Sequence, residues 1–402
     1  MVYTIYNKSV LSNEGDNNMT NKVLVNGTVY TGETKIDNGY VRFNQEILAV
    51  GKMEDFVQEE KDEVVDISGE IIVPGFIDIH SHGGYGIDNM DANPEKINQM
   101  IEQMFQEGIT SYFSTTMTQS YENIEASLKG IAKAAETNPV IQGIHVEGPF
   151  ISAVFKGAQP EEYIRIPDAE TMKKWDEISG GRVRLVTYAP ETSDATEFEK
   201  VCQENDIVLS AGHTNATREQ MKQSKAKHIT HLYNAQRGLH HREPGVTGHA
   251  FLDEDTYVEV IADGFHIHPE MVKMAYKMKG PERIAIITDA MRAKGMPDGE
   301  SELGGQKVIV KDKQARLESG SLAGSVLEFQ DAFKNIMEFT GCSIEDAVKM
   351  SSVNQAREFN LTKKGILSPR KDADMVLLSQ ELTVQQTISY GKVVYTKEKG
   401  AI

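Results

Sequence analysis

The chain has 402 residues, 39% apolar and 25% charged, which fits a folded globular protein and excludes a mainly disordered one. At roughly 150 residues per domain that length holds two to three domains, or one large barrel with a small partner. Lys and Arg number 42 against 60 Asp and Glu, 42 − 60 = −18, so the average surface field repels nucleic acid and anionic membrane, and an anionic substrate requires a locally basic pocket.

Cys202 and Cys342 are the two cysteines. They offer no disulfide framework, and the start lacks a signal-peptide pattern. No apolar stretch approaches the roughly 18 residues of a spanning helix, so a cytoplasmic location is expected. The polar stretch LSNEGDNNMTNK (11–22) sets residues 1–18 apart as a disordered extension. From Lys22 to about Val73, the short apolar runs VLVNGTVY, GYVRF, ILAVGK and GEIIVPG, cut by Gly, Asn and Asp, predict antiparallel strands. The same texture returns in ADMVLLSQ (373–380) and VQQTISYGKVVYTKE (384–398), where Tyr390, Gly391 and Lys392 mark a tight turn. Both chain ends, 19–73 and 363–402, are therefore expected to pair into one small β domain.

Between them, in 74–362, apolar strands alternate with amphipathic helices. In NPEKINQMIEQMFQEG (93–108), Ile97, Ile101, Met104 and Phe105 recur at helical spacing behind an Asn93-Pro94 start. Strands are predicted at 75–80, 111–116, 140–147, 183–190, 206–213, 228–235, 257–264 and 283–290, followed by terminal helices over 325–340 and 343–359. Eight strands with crossovers fit a (β/α)8 barrel, with a doubly wound sheet as the competing architecture.

The placement of polar residues favours the barrel. Strand one ends in His80-Ser81-His82 and strand three in Glu147; strand five ends in His213, strand six runs through His231, His266 follows strand seven, and strand eight ends near Asp289. In a barrel those C-terminal ends converge on one mouth. His80 and His82, two apart, project to one face of an extended strand. Imidazole and carboxylate together suit zinc, iron(II), manganese or cobalt better than magnesium or calcium. Such an ion lowers the pKa of a bound water towards about 7, which makes hydrolysis the expected chemistry, with Asp289 placed to move the proton.

PGFIDIHSHGG (74–84) resembles the amidohydrolase superfamily. The ordered segments GIHVEGPF (143–150), KGAQP (156–160), YAPE (188–191), SAGHTNA (210–216), THLYNAQ (230–236), HHREPG (240–245), IADGFH (261–266), ITDAM (287–291), MPDG (296–299) and LAGS (322–325) narrow the resemblance to the N-acetylglucosamine-6-phosphate deacetylases. That resemblance implies a barrel joined to a β-sandwich built from both chain ends, and removal of acetate from the 2-acetamido group of a phosphorylated sugar. It implies Glu147, His213 and His231 as ligands of a principal divalent metal, His80 and His82 as ligands of a second, and hence one or two ions per subunit. It further implies Asp289 as acid/base, and His266 as a contact near the reacting amide. Asn234 with the backbone at Ala235, together with Arg242, would bind phosphate, and the arginine would be shared across a homodimer. His241 beside it either adds positive charge or only packs the loop.

Two positions depart from the family pattern. Gln159 stands where many relatives have histidine, so a substrate contact there passes to an amide or weakens; Arg370 replaces the usual glycine before KDAD and should touch a turn in the β domain. LGGQ (303–306) lacks phosphate-loop spacing and reads as a turn, as does MPDG. Two other readings keep the scaffold: the galactosamine epimer of the substrate, and a cyclic amide, against which Arg242 argues. A silent amino-sugar-phosphate binder would have little use for a ligand set completed by Asp289.

Overall fold

The computed structural model describes residues 20–398; the expected extension over 1–18 lies outside them. Eight parallel strands, hydrogen-bonded in chain order, form the centre: Phe76–Ser81, Ile109–Thr116, Ile141–Glu147, Val183–Tyr188, Val208–Ala211, His228–Ile229, Tyr257–Ile261 and Ile284–Ile287. The last returns to the first. The Asp289 amide donates to the His80 carbonyl at 2.8 Å and the Thr288 hydroxyl to Asp78 at 2.6 Å, so the sheet closes into a (β/α)8 barrel.

The covering helices arise from local signals already visible in the chain. In Pro94–Met104 the Asn93 side chain accepts from the Lys96 amide at 2.9 Å, proline occupies the first turn, and Ile97, Met100, Ile101 and Met104 bury one stripe against the barrel. The predicted fourth anchor, Phe105, falls in the 3-10 turn that follows. After the last barrel strand come Phe329–Thr340 and a helical run over 344–358.

Strand six is shorter than 228–235. It holds only His228 and Ile229, because His231, Tyr233 and Ala235 have φ of 30°, 75° and 46°, left-handed values that cannot continue a ladder. The chain stays close to strand seven through the Leu232 amide, which donates to the Glu259 carbonyl at 2.9 Å.

The chain-end strands Asn21–Tyr30, Lys35–Phe43, Ile47–Lys52, Asp62–Asp66, Ile71–Pro74, Met375–Leu378, Val384–Ser389 and Lys392–Thr396 make one sheet. Leu24, Val41 and Phe43 from one side of it and Ile72, Met375, Leu377 and Ile388 from the other share a buried cluster. The expectation of antiparallel strands needs correction. Asn21–Tyr30 pairs in parallel with both Asp62–Asp66 and Ile71–Pro74, because those strands return along its free edge after the first hairpins have used the other. The turn at Tyr390-Gly391 is a two-residue hairpin, both residues at positive φ.

One element was read only as turns. Gly299–Leu303, Gln306–Lys311 and Gln314–Leu317 form a three-stranded antiparallel sheet with LGGQ as its first turn. Val308 and Val310 pack with Met117 and Met291, which seats this sheet over the barrel mouth.

Candidate active site

His80, His82, Glu147, His213, His231 and Asp289 are all buried and stand at or just beyond the C-terminal ends of strands one, three, five, six and eight. His213, His231 and Asp289 have φ of 46°, 30° and 46°, strained turns that swing each side chain off its strand end into a common centre. Motif glycines admit the neighbouring loops. A Cβ on Gly157 (φ 56°) would lie 3.3 Å from the His213 ring, and one on Gly324 (φ 60°) 3.0 Å from the Asp289 carbonyl.

Glu147 is the hub. Its Oε1 lies 3.1 Å from His213 Nε2, 3.0 Å from His231 Nε2 and 3.6 Å from His80 Nε2; its Oε2 lies 3.1 Å from His82 Nε2. Asp289 Oδ1 faces the same pair of histidines, 3.5 Å from His80 Nε2 and 3.3 Å from His82 Nε2. Burial opposes charge on Glu147, yet His80, His213 and His231 hold its carboxyl well below the usual range. Against the same burial, Asp289 and Glu147 push His82 up to about 9. Asp289 is itself lowered, by His80 and His82.

Several residues that complete the site were not anticipated. Glu259, on strand seven, accepts from His80 Nδ1 at 2.8 Å, from the His231 amide at 2.9 Å and from His228 Nε2 at 3.1 Å. His228 Nδ1 in turn faces Glu358 at 2.7 Å, so this ring lies between two carboxylates that push it up to about 10 despite burial. A charged residue amid the apolar YVEVI was the available signal. His145 packs edge-on to His80 at 4.5 Å between ring centroids and is held well below its ordinary range by burial.

A cavity of about 450 Å³ opens above this centre, its wall including His82, Glu147, Gln159, His213, His231, Asn234, Ala235, His266 and Asp289. His266 is fixed by Asp263, 2.6 Å from its Nδ1. Gln159 donates to Glu147 Oε2 at 2.8 Å and accepts from the Thr118 amide at 2.8 Å, so its amide is committed to the hub. Arg242 and His241 are not brought to this wall. They occupy an exposed loop, where the guanidinium lies 2.8 Å from His241 Nε2.

The donor set fits a divalent cation. Glu147, His213 and His231 form one group with metal-binding spacing, and His80, His82 and Glu147 another. His80 Nδ1 donates to Glu259 and His213 Nδ1 to the Phe155 carbonyl at 3.0 Å, so each ring keeps a proton on Nδ1 and its Nε2 can offer a lone pair to a cation. His80 Nε2 is buried without a hydrogen-bond partner. His213 Nε2 and His231 Nε2 lie 3.1 Å apart beside one carboxylate oxygen, an arrangement that requires a shared proton or cation between them.

Residues 71–394 match the model of the Amidohydrolase family. An N-acetylglucosamine-6-phosphate deacetylase of Bacillus subtilis (strain 168) is 39% identical over 381 residues, 92% of this chain and 96% of its own. Another of that name, from Lysinibacillus sphaericus, is 42% identical over 334 residues, 81% of this chain and 86% of its own. A structure of the Mycobacterium smegmatis N-acetyl-D-glucosamine-6-phosphate deacetylase, an aspartate-to-alanine mutant in complex with N-acetyl-D-glucosamine-6-phosphate, superposes with a TM-score of 0.89 at 30% identity, covering 94% of this chain and all of that one. With histidine and carboxylate donors gathered at the C-terminal mouth of its barrel, and with these relatives spanning nearly its whole length, the chain belongs to the amidohydrolase family.

Proposed function

We propose that the chain hydrolyses the acetamide of N-acetyl-D-glucosamine 6-phosphate, releasing D-glucosamine 6-phosphate and acetate in the cytoplasm. The observation that carries this reading is that one cavity brings Asp289 within 3.3 Å of His82 and His82 within 3.1 Å of Glu147, so a proton-transfer carboxylate adjoins the metal-donor set. Glu147, His213 and His231 would hold a principal zinc, iron(II), manganese or cobalt ion, and His80 and His82 with Glu147 a second. Such a cation supplies Lewis acidity, polarising the amide carbonyl and acidifying the attacking water.

The chain's own groups do the rest. Asp289 takes the proton from the attacking water and delivers it to the leaving amine nitrogen. His266, oriented by Asp263, faces the developing oxyanion. Gln159 fixes the Glu147 carboxylate that both cation positions share. Asn234 and the Ala235 backbone line the sugar-phosphate end, while Arg242, with His241 beside it, reaches the site of a second subunit in a homodimer. Incubating the purified protein, loaded in turn with each of the four metals, with the sugar phosphate and following acetate tests this; no release with any of them overturns it.

A further inference from the structure

Among the described residues that line the cavity, Arg316 carries the one permanent positive charge; the wall contains no lysine and no second arginine. The arginine expected to bind phosphate, Arg242, lies in an exposed loop away from that wall in its own chain. A net charge of −18 gives no general attraction for a phosphorylated sugar, so a cation at the wall bears directly on how such a ligand is held.

Arg316 sits on the strand Gln314–Leu317 of the small sheet over the mouth. Its Nε and Nη2 donate to Gln314 Oε1 at 3.2 and 2.7 Å, and its Nη1 donates to the Gly320 carbonyl at 2.7 Å. Those three bonds leave two of the guanidinium's five N–H groups for another acceptor. Gly320, Ser321, Leu322 and Gly324 continue the cavity wall. The loop is pinned at both ends, the Leu317 amide donating to the Ser321 carbonyl at 2.9 Å and the Ser325 amide to the Asp289 carbonyl at 2.7 Å. The guanidinium is thus anchored beside the cavity and tied, through eight residues or so of structured chain, to the backbone of Asp289. Its contacts to Gln314 and Gly320 are exposed and need no formal charge; a phosphate does, and a planar fork suits it.

Resting on the sugar-phosphate reading above, we propose that Arg316 is an in-chain contact for the phosphate of the substrate, acting alongside the arginine contributed by a second subunit. The small sheet is then part of the specificity apparatus as well as a cover.

The test compares wild type, Arg316→Ala and Arg316→Lys in kcat/KM for N-acetylglucosamine 6-phosphate and for unphosphorylated N-acetylglucosamine, with inorganic phosphate as a competitive inhibitor. Metal content and the circular dichroism spectrum serve as controls for folding. The expected result for Arg316→Ala is a preference for the phosphorylated sugar reduced about tenfold or more, carried in KM, with a matching rise in the phosphate inhibition constant; Arg316→Lys recovers part of both. An unchanged preference overturns the proposal. So does an equal loss on both sugars, which would mark a residue that merely staples the sheet. If wild type releases no acetate at all, the deacetylase reading fails by itself, and calorimetric binding of glucosamine 6-phosphate against glucosamine to the same three proteins decides the role of Arg316.

Discussion

Glu259→Gln separates the donor shell from the groups that hold it in place. Glu259 accepts three hydrogen bonds, from His80 Nδ1 at 2.8 Å, the His231 amide at 2.9 Å and His228 Nε2 at 3.1 Å. Glutamine keeps the shape and one acceptor oxygen but removes the charge. A bond to a charged group contributes about 1.5–3 kcal/mol and a neutral one about 0.5–1.5, so each contact weakens by about 1 kcal/mol. Over three contacts the fold loses about 2–3 kcal/mol, which a protein with a typical 5–15 kcal/mol of stability survives. At His80 alone, about 1 kcal/mol converts to roughly fivefold weaker metal binding, just under the roughly 10–100-fold for losing such a partner outright. Competition with a chromophoric chelator measures the affinity, and urea unfolding measures the stability. A folded Glu259→Gln protein that binds metal as tightly as wild type would refute the reasoning.

Two further predictions concern stability. Arg370 has φ of 71°, so Arg370→Gly should raise stability by about 1 kcal/mol through relieved strain, read as a higher urea midpoint; a lower midpoint counts against it. The Lys279 amine, hydrogen-bonded to the Asp253 carbonyl at 2.6 Å, is pushed by burial from 10.5 down to about 8 although Asp253 pulls the other way. Between about pH 8 and 10.5 the unfolded chain therefore binds more protons at this position than the folded one, so its contribution makes stability rise with pH across that window and is flat below it. The difference between wild type and Lys279→Met, followed by urea unfolding from pH 7 to 10.5, should show that rise; a flat difference contradicts it.

Much of the barrel was legible because each strand is an apolar run bounded by polar turns, and the site because its histidines and carboxylates fall at equivalent strand ends. What escaped has physical reasons. Strand six was overdrawn because HITHLYNA has strand composition, whereas the left-handed backbone at His231, Tyr233 and Ala235 leaves no mark in residue type. Glu259 looked like one more strand residue, since its partners His80 and His228 are distant in sequence. Gln159 read as a substrate contact passed to an amide or weakened; it lines the cavity, and what the sequence did not mark is its bond to Glu147 at 2.8 Å. The small sheet was hidden because only Val308 and Val310 alternate inward within a strand of six residues. Arg316, in the otherwise unremarkable KDKQARLESG, becomes legible only once that sheet is seen to cover the mouth.

The central claim is that Asp289 moves the proton beside the one or two cations that Glu147 and its four histidines would hold. Asp289→Asn keeps the shape of the side chain and removes the base. Measured together on one preparation, metal content per chain and acetate released from N-acetylglucosamine 6-phosphate should part company in this variant, with metal bound near the wild-type level and release lowered at least about a hundredfold. Near-normal release by a metal-replete Asp289→Asn protein would contradict the account.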